Sequence, residues 1–139
     1  MSWRILLVML VAGGVLLAVR TAEPTQVKTV STQKLAEERL SGARSAYEAV
    51  WAKFKPFDLS KGDGEDVYRW SRRWMESERD MAKSKAERVA ALQGHFERMK
   101  KLEQEVQMYA RGTIPVQQLS ATRFYRAEAE DWLRAERAK

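Results

Sequence analysis

Seven residues, Ala36, Leu40, Ala43, Tyr47, Val50, Phe54 and Phe57, recur at steps of 4, 3, 4, 3, 4 and 3. Only an α-helix returns side chains to one side at that rhythm, and the alternation of threes and fours is the seam of a coiled coil. The chain must therefore bury its apolar residues between helices. Beyond position 30, Val and Ile are scarce while Ala, Glu, Lys, Arg, Leu and Gln abound, which favours helix over strand. The three prolines, Pro24, Pro56 and Pro115, each fall at an expected boundary. Helices end before proline, so the first helix is predicted over about 31–55, with Ser31 or Thr32 as its cap.

"PFDLSKGDGED" is the turn that follows. Asp63 can cap the second helix, and Asp66 suits the positive end of its dipole. That helix is predicted to run from 64 to 111 without interruption, about 70 Å at 1.5 Å per residue. Its stripe passes through Tyr68, Ser71, Met75, Glu78, Ala82, Lys85, Val89, Leu92, Phe96, Met99, Glu103, Val106 and Ala110. Glu78 and Lys85 dilute the stripe, and Val67, Trp70, Trp74 and Met81 flank it. Gly112 offers the left-handed residue that closes a helix. Thr113 can cap the third helix, over about 114–138, with Pro115 in its first turn. Its apolar side takes Val116, Leu119, Tyr125, Ala129, Trp132 and Leu133.

The expected fold is all-α: an N-terminal hydrophobic helix, then an antiparallel coiled-coil rod of one long and two short helices. The lengths place the short helices end to end along the long one. This sets Trp51 near Trp70, Tyr47 near Trp74 and Phe54 near Val67. It also sets Leu119 near Val106, Tyr125 near Leu102, and Trp132 near Phe96 and Leu92. The alternative is a compact bundle folded back at Gly94, in which Trp51 and Trp132 pack together.

Residues 1–22 read as a leader, with 23–30 a polar spacer and 31–139 the helical domain. Fifteen uncharged residues, Ile5 to Val19, lie between Arg4 and Arg20. Trp3 to Val19 would be about 25 Å as a helix, short for a bilayer core of about 30 Å but extended by snorkelling arginines. Small residues are missing where a signal peptidase would want them. Residues 3–19 are thus expected to anchor the chain in a membrane, single-pass, with the bulk extracytoplasmic and periplasmic if bacterial. If the leader is cleaved, the product is secreted.

The net charge is +6, and most of the excess lies between Arg69 and Lys101, with ten Lys or Arg against five acids. Such a face can meet an acidic partner or phosphate, or simply solvent. Chemistry has few candidates. Cysteine is absent and His95 is the only histidine, which excludes thiolate sites and multi-histidine metal sites within one chain. No phosphate-cradling glycine loop and no nucleophile beside a base is visible. Neither an enzyme, a cofactor nor a small-molecule substrate is expected.

"YARGTIPVQQLSATRFYRAEAEDWL" resembles the helical-hairpin tip of outer-membrane efflux-channel proteins of the TolC type. In that family an aromatic or basic residue, a variable position and Gly end a long helix, and the tip docks onto an adaptor. Tyr109, Arg111 and Gly112 stand in the matching places, and Ile114 and Leu119 correspond to its apolar positions. This chain has one hairpin set and an apolar leader in place of the family's two repeats and membrane strands. The resemblance therefore implies docking by Tyr109 to Leu119, not channel formation. Aromatic residues at the other turn, Trp51, Phe54, Phe57, Trp70 and Trp74 among them, form either a core cluster or a second docking surface. "YRWSRRWMESERDMAKSK" interleaves Arg and Trp as single-strand nucleic-acid binders do, although the leader argues against that partner. Self-assembly is a further reading, with Glu78 and Lys85 pairing between copies. The expected function is an exported, membrane-anchored scaffold or protein-interaction module.

Overall fold

A computed structural model describes residues 25–56, 64–109 and 114–139, with side-chain surroundings from residue 32 onward. The leader and the predicted roles of Phe57, Asp63, Arg111, Gly112 and Thr113 lie outside the described residues. Four helices follow one another: α1 (Thr25–Lys53), α2 (Gly64–Met81), α3 (Lys85–Tyr109) and α4 (Val116–Ala138). No strand occurs among the described residues.

The predicted long helix is two helices. Residues Ala82, Lys83 and Ser84 interrupt it, and α3 returns antiparallel to α2. The cause is local. Ser84 Oγ accepts from the Glu87 backbone N–H at 3.1 Å, while the Glu87 carboxylate accepts from the Ser84 N–H at 3.1 Å. The carboxylate also takes the Lys83 N–H, at 2.5 Å. This reciprocal capture is a capping box, written in the sequence as Ser-Lys-Ala-Glu. The polar stripe positions Glu78 and Lys85 mark the ends of two helices, not a weak stretch of one. The fold-back falls about ten residues before Gly94, which sits inside α3 with a Cβ position 3.3 Å from the Arg98 guanidinium.

The helix pairs match the expected ones, but they lie side by side and not end to end. α1 runs antiparallel to α2, with the Tyr47 and Trp74 rings edge to face at 5.6 Å. Phe54 and Val67 join the same buried cluster. α4 runs antiparallel to α3, with Arg126 Nε donating to Glu103 at 2.8 Å and Arg88 Nε to Glu136 at 2.7 Å. Folding α2 onto α3 then brings α2 against α4, where Tyr68 stacks on Tyr125 at 4.2 Å. Trp51 and Trp132 do not pack together: Trp51 lies against one core cluster and Trp132 against the other.

The core has two parts. Val67, Met99, Leu102, Val106 and Ala129 are fully buried in one. Met75, Ala91, Leu92 and Leu133 make the other, nearer the 82–84 turn. Two boundaries differ from expectation. α1 begins at Thr25, so the predicted spacer is largely helical and Ser31 and Thr32 are interior; a helix already started extends at little cost. α4 begins at Val116 with Pro115 as its N-cap and no side-chain cap bond.

Two substitutions test this arrangement. Leu102→Ala, at a site with 0% exposure, is expected to destabilise the fold by about 2–5 kcal/mol. Ser84→Ala removes half the capping box and is expected to cost about 1 kcal/mol. Denaturant midpoints measure both.

Candidate functional site

At the centre of the α2–α3 hairpin lies a buried polar node. Ser71 and His95 both have 0% exposure. Arg98 Nε donates to Ser71 Oγ at 2.8 Å, and another of its guanidinium nitrogens reaches the Ser71 carbonyl at 3.3 Å. The Ser71 hydroxyl, which can accept twice and donate once, also bonds His95 Nδ1, 2.8 Å away. The other imidazole nitrogen of His95, Nε2, has no hydrogen-bond partner. Its ring lies between Trp132, stacked at 5.9 Å, and Tyr68 at 6.0 Å.

A serine beside a histidine can be a nucleophile and its base. Here both are sealed from solvent, and the serine oxygen is already occupied by an arginine. The node is a lock between two helices. Burial, with the Arg98 and Arg72 charges, pushes the His95 pKa down to about 3. Arg98 is itself pushed down by burial. Nearby, the Tyr68 hydroxyl donates to Glu128 at 2.5 Å. Burial and that bond push its pKa up to about 12.

Each tryptophan of the described residues has a cation over its ring. Lys101 covers Trp51 at 4.4 Å, Arg73 covers Trp70 at 4.6 Å, and Arg72 covers Trp132 at 5.3 Å. Trp74 has Arg98 at 4.0 Å and Arg44 at 5.4 Å. Such contacts act by attraction between a charge and the ring's electron-rich face, and all but Arg73 on Trp70 join two helices. Of the interleaved Arg and Trp in residues 68–85, Arg73 thus stacks on Trp70, while Arg72 and Trp74 stack on residues of other helices. Arg69 and Arg72 further pair with Glu65 and Glu76, each at N–O distances below 3 Å. Trp51, Trp70 and Trp74 are half-buried against the core cluster, and Phe54 is buried within it. Glu78 accepts from Trp74 Nε1 at 2.8 Å, and Lys85 donates to the Arg137 carbonyl at 3.1 Å. Both are engaged within one chain.

The α3–α4 end looks different. Large apolar side chains stand in solvent there: Met108, Tyr109, Val116 and Phe124, at 63%, 45%, 76% and 61% exposure. Leu35 is the fifth such residue among the described ones and lies at the opposite end. Ile114 and Leu119 lean onto the core and are half-covered. An open groove of about 660 Å³ runs along Lys101, Gln104, Glu105, Gln107 and Met108. Val116 is a correction, since it does not share the inward side of α4. The buried positions Thr122, Ala129, Leu133 and Glu136 set that side, and Val116 and Phe124 fall off their three-four spacing. That offset was readable in the sequence once Thr122 and Glu136 were counted as seam positions.

Among the described residues no group of three or more acidic, cysteine or histidine side chains is placed to hold a metal ion. No described helix is long and apolar enough to cross a membrane. The chain matches no protein-family model, no curated protein and no solved structure.

The node makes stability depend on pH in a definite direction. His95 stays neutral in the fold, while an unfolded histidine gains a proton below about 6.5. Its contribution is therefore complete above that pH and is lost as pH falls, at up to about 1.4 kcal/mol per pH unit. Glu136 acts lower still. Lys139 and then Arg88 donate to its carboxylate and hold it down to about 2, so its contribution fades below the ordinary 4.5. Unfolding free energy measured from pH 7 to 4.5 should fall in the parent and stay nearly level in His95→Gln.

Proposed function

We propose that this protein is a membrane-anchored helical interaction module that presents its α3–α4 end to a protein partner. The observation that carries this reading is the gathering of Met108, Tyr109, Val116 and Phe124 at one end of the bundle. Exposed apolar side chains on a compact helical frame are the usual mark of a protein contact. Their position fits the anchor. Phe54, Val67 and Met99 lie in one cluster, so α3 continues ten residues beyond that level to Tyr109. From Thr25, where the chain leaves the leader, to Tyr109 is roughly 55 Å of helix axis. The apolar end is the one farthest from the start of α1.

The bundle supports this as a rigid frame. Its polar node, cation-covered tryptophans and α3–α4 ion pairs are all internal contacts, and the end residues are its exposed apolar side chains. The efflux-tip resemblance of Tyr109 to Leu119 agrees in placing a docking surface there, although its Ile114 and Leu119 are turned toward the core. A nucleic-acid reading has less support, because the arginines between Tyr68 and Lys85 are largely committed to acids and rings of their own chain.

A photo-crosslinking residue placed at Val116 or Phe124 in the full chain, in its native cells, tests the reading. A discrete protein adduct is expected at both positions and not at Glu48, which is exposed on α1. Equal adducts at all three, or none at the two end positions, would overturn it.

A further inference from the structure

α1 is longer than anything it packs against. Arg39 is paired with Asp80 at 3.4 Å, and α2 ends one residue later, at Met81. Residues 25–38, fourteen of the 29 in α1, therefore continue past the level of Asp80, and those before about residue 35 run beyond the 82–84 turn. At 1.5 Å per residue the fourteen make about 21 Å of helix.

Gln33, Lys34, Leu35, Glu37 and Glu38 are all exposed, and Ala36 is only half-covered. The stretch carries no stripe for a partner helix: Val27 and Val30 begin a helical spacing that Lys34 and Glu37 break at once. A helix without a continuous apolar stripe has no face to bury against a second helix and suits a bridge through solvent. It persists because the packed half of α1 has already met the cost of starting a helix, and extension is cheap. A Gln33 to Glu37 hydrogen bond of 3.0 Å along its surface adds to this.

We propose that residues 25–38 are a stalk: a stiff, solvent-spanning helix that holds the bundle off a lipid bilayer entered by the leader. This inference rests on the membrane-anchored reading above. Stiffness has a purpose at this end. Lys83, Lys85, Arg137 and Lys139 lie there, and a slack tether would let them settle onto anionic headgroups. The stalk instead fixes the height at which the apolar end is offered.

The test uses the full chain in vesicles of phosphatidylethanolamine and phosphatidylglycerol containing an acceptor lipid. The chain has no cysteine, so Lys83→Cys gives one fluorophore at the near end of the bundle. Deleting residues 26–32 should bring the label about 10 Å closer to the surface, and duplicating them should move it about 10 Å away. Seven residues preserve the facing of α1, and replacing the same seven with Gly and Ser should bring the label to the surface. The changes at 26–32 lie outside the bundle, so thermal unfolding that matches the labelled parent certifies each variant as folded. Unchanged energy transfer in vesicle-bound variants would overturn the stalk and leave the anchor standing. Failure of the unaltered chain to float with vesicles would overturn the anchor, and the stalk with it.

Discussion

Ser84 and Glu87 each bind the other's backbone, and that reciprocal capture turns residues 64–109 into a hairpin instead of a rod of about 70 Å. Once α3 returns along α2, Ser71 meets His95, Arg98 reaches between Trp74 and Tyr47, and Tyr68 comes against Tyr125. None of these contacts can form in an unbroken helix. The aromatic residues that a two-helix rod could not have covered gain a third helix to pack on, which places Trp51, Trp70 and Trp74 against the core.

Pairing was legible in the sequence and stacking was not. The seam from Ala36 to Phe54 and the stripe from Val89 to Val106 locate which helices touch, because apolar spacing reports which side of a helix is buried. Tyr47 does meet Trp74, and Trp132 does lie with Leu92 and Phe96. Where a helix stops is a weaker signal, carried by a few capping atoms. Ser-Lys-Ala-Glu was hidden inside a run with good helix propensity, and no proline or glycine punctuated it. The buried polar groups were also hidden. His95, Thr122 and Glu136 occupy inward positions that composition alone assigns to the surface.

The candidate site was half legible. Tyr109 was identified from the turn, while Met108, Val116 and Phe124 were not, since an exposed apolar residue looks like a core residue until the inward face is known. The arginines and tryptophans of α2 suggested a ligand-gripping surface and instead engage rings and charges of the bundle itself. This internal use of charge makes a small helical body rigid. It also ties that body to the function proposed for it, because a stiff frame can carry an apolar end at a set distance from a membrane.

The most direct check on the account is a pulsed electron-spin distance between labels at Glu65→Cys and Lys100→Cys, both exposed and at level positions of α2 and α3. Antiparallel helices packed at about 8–10 Å between axes place the labels within roughly 25 Å of one another. A distance near 50 Å, the length of 35 residues in one continuous helix, would contradict the fold-back and everything built on it.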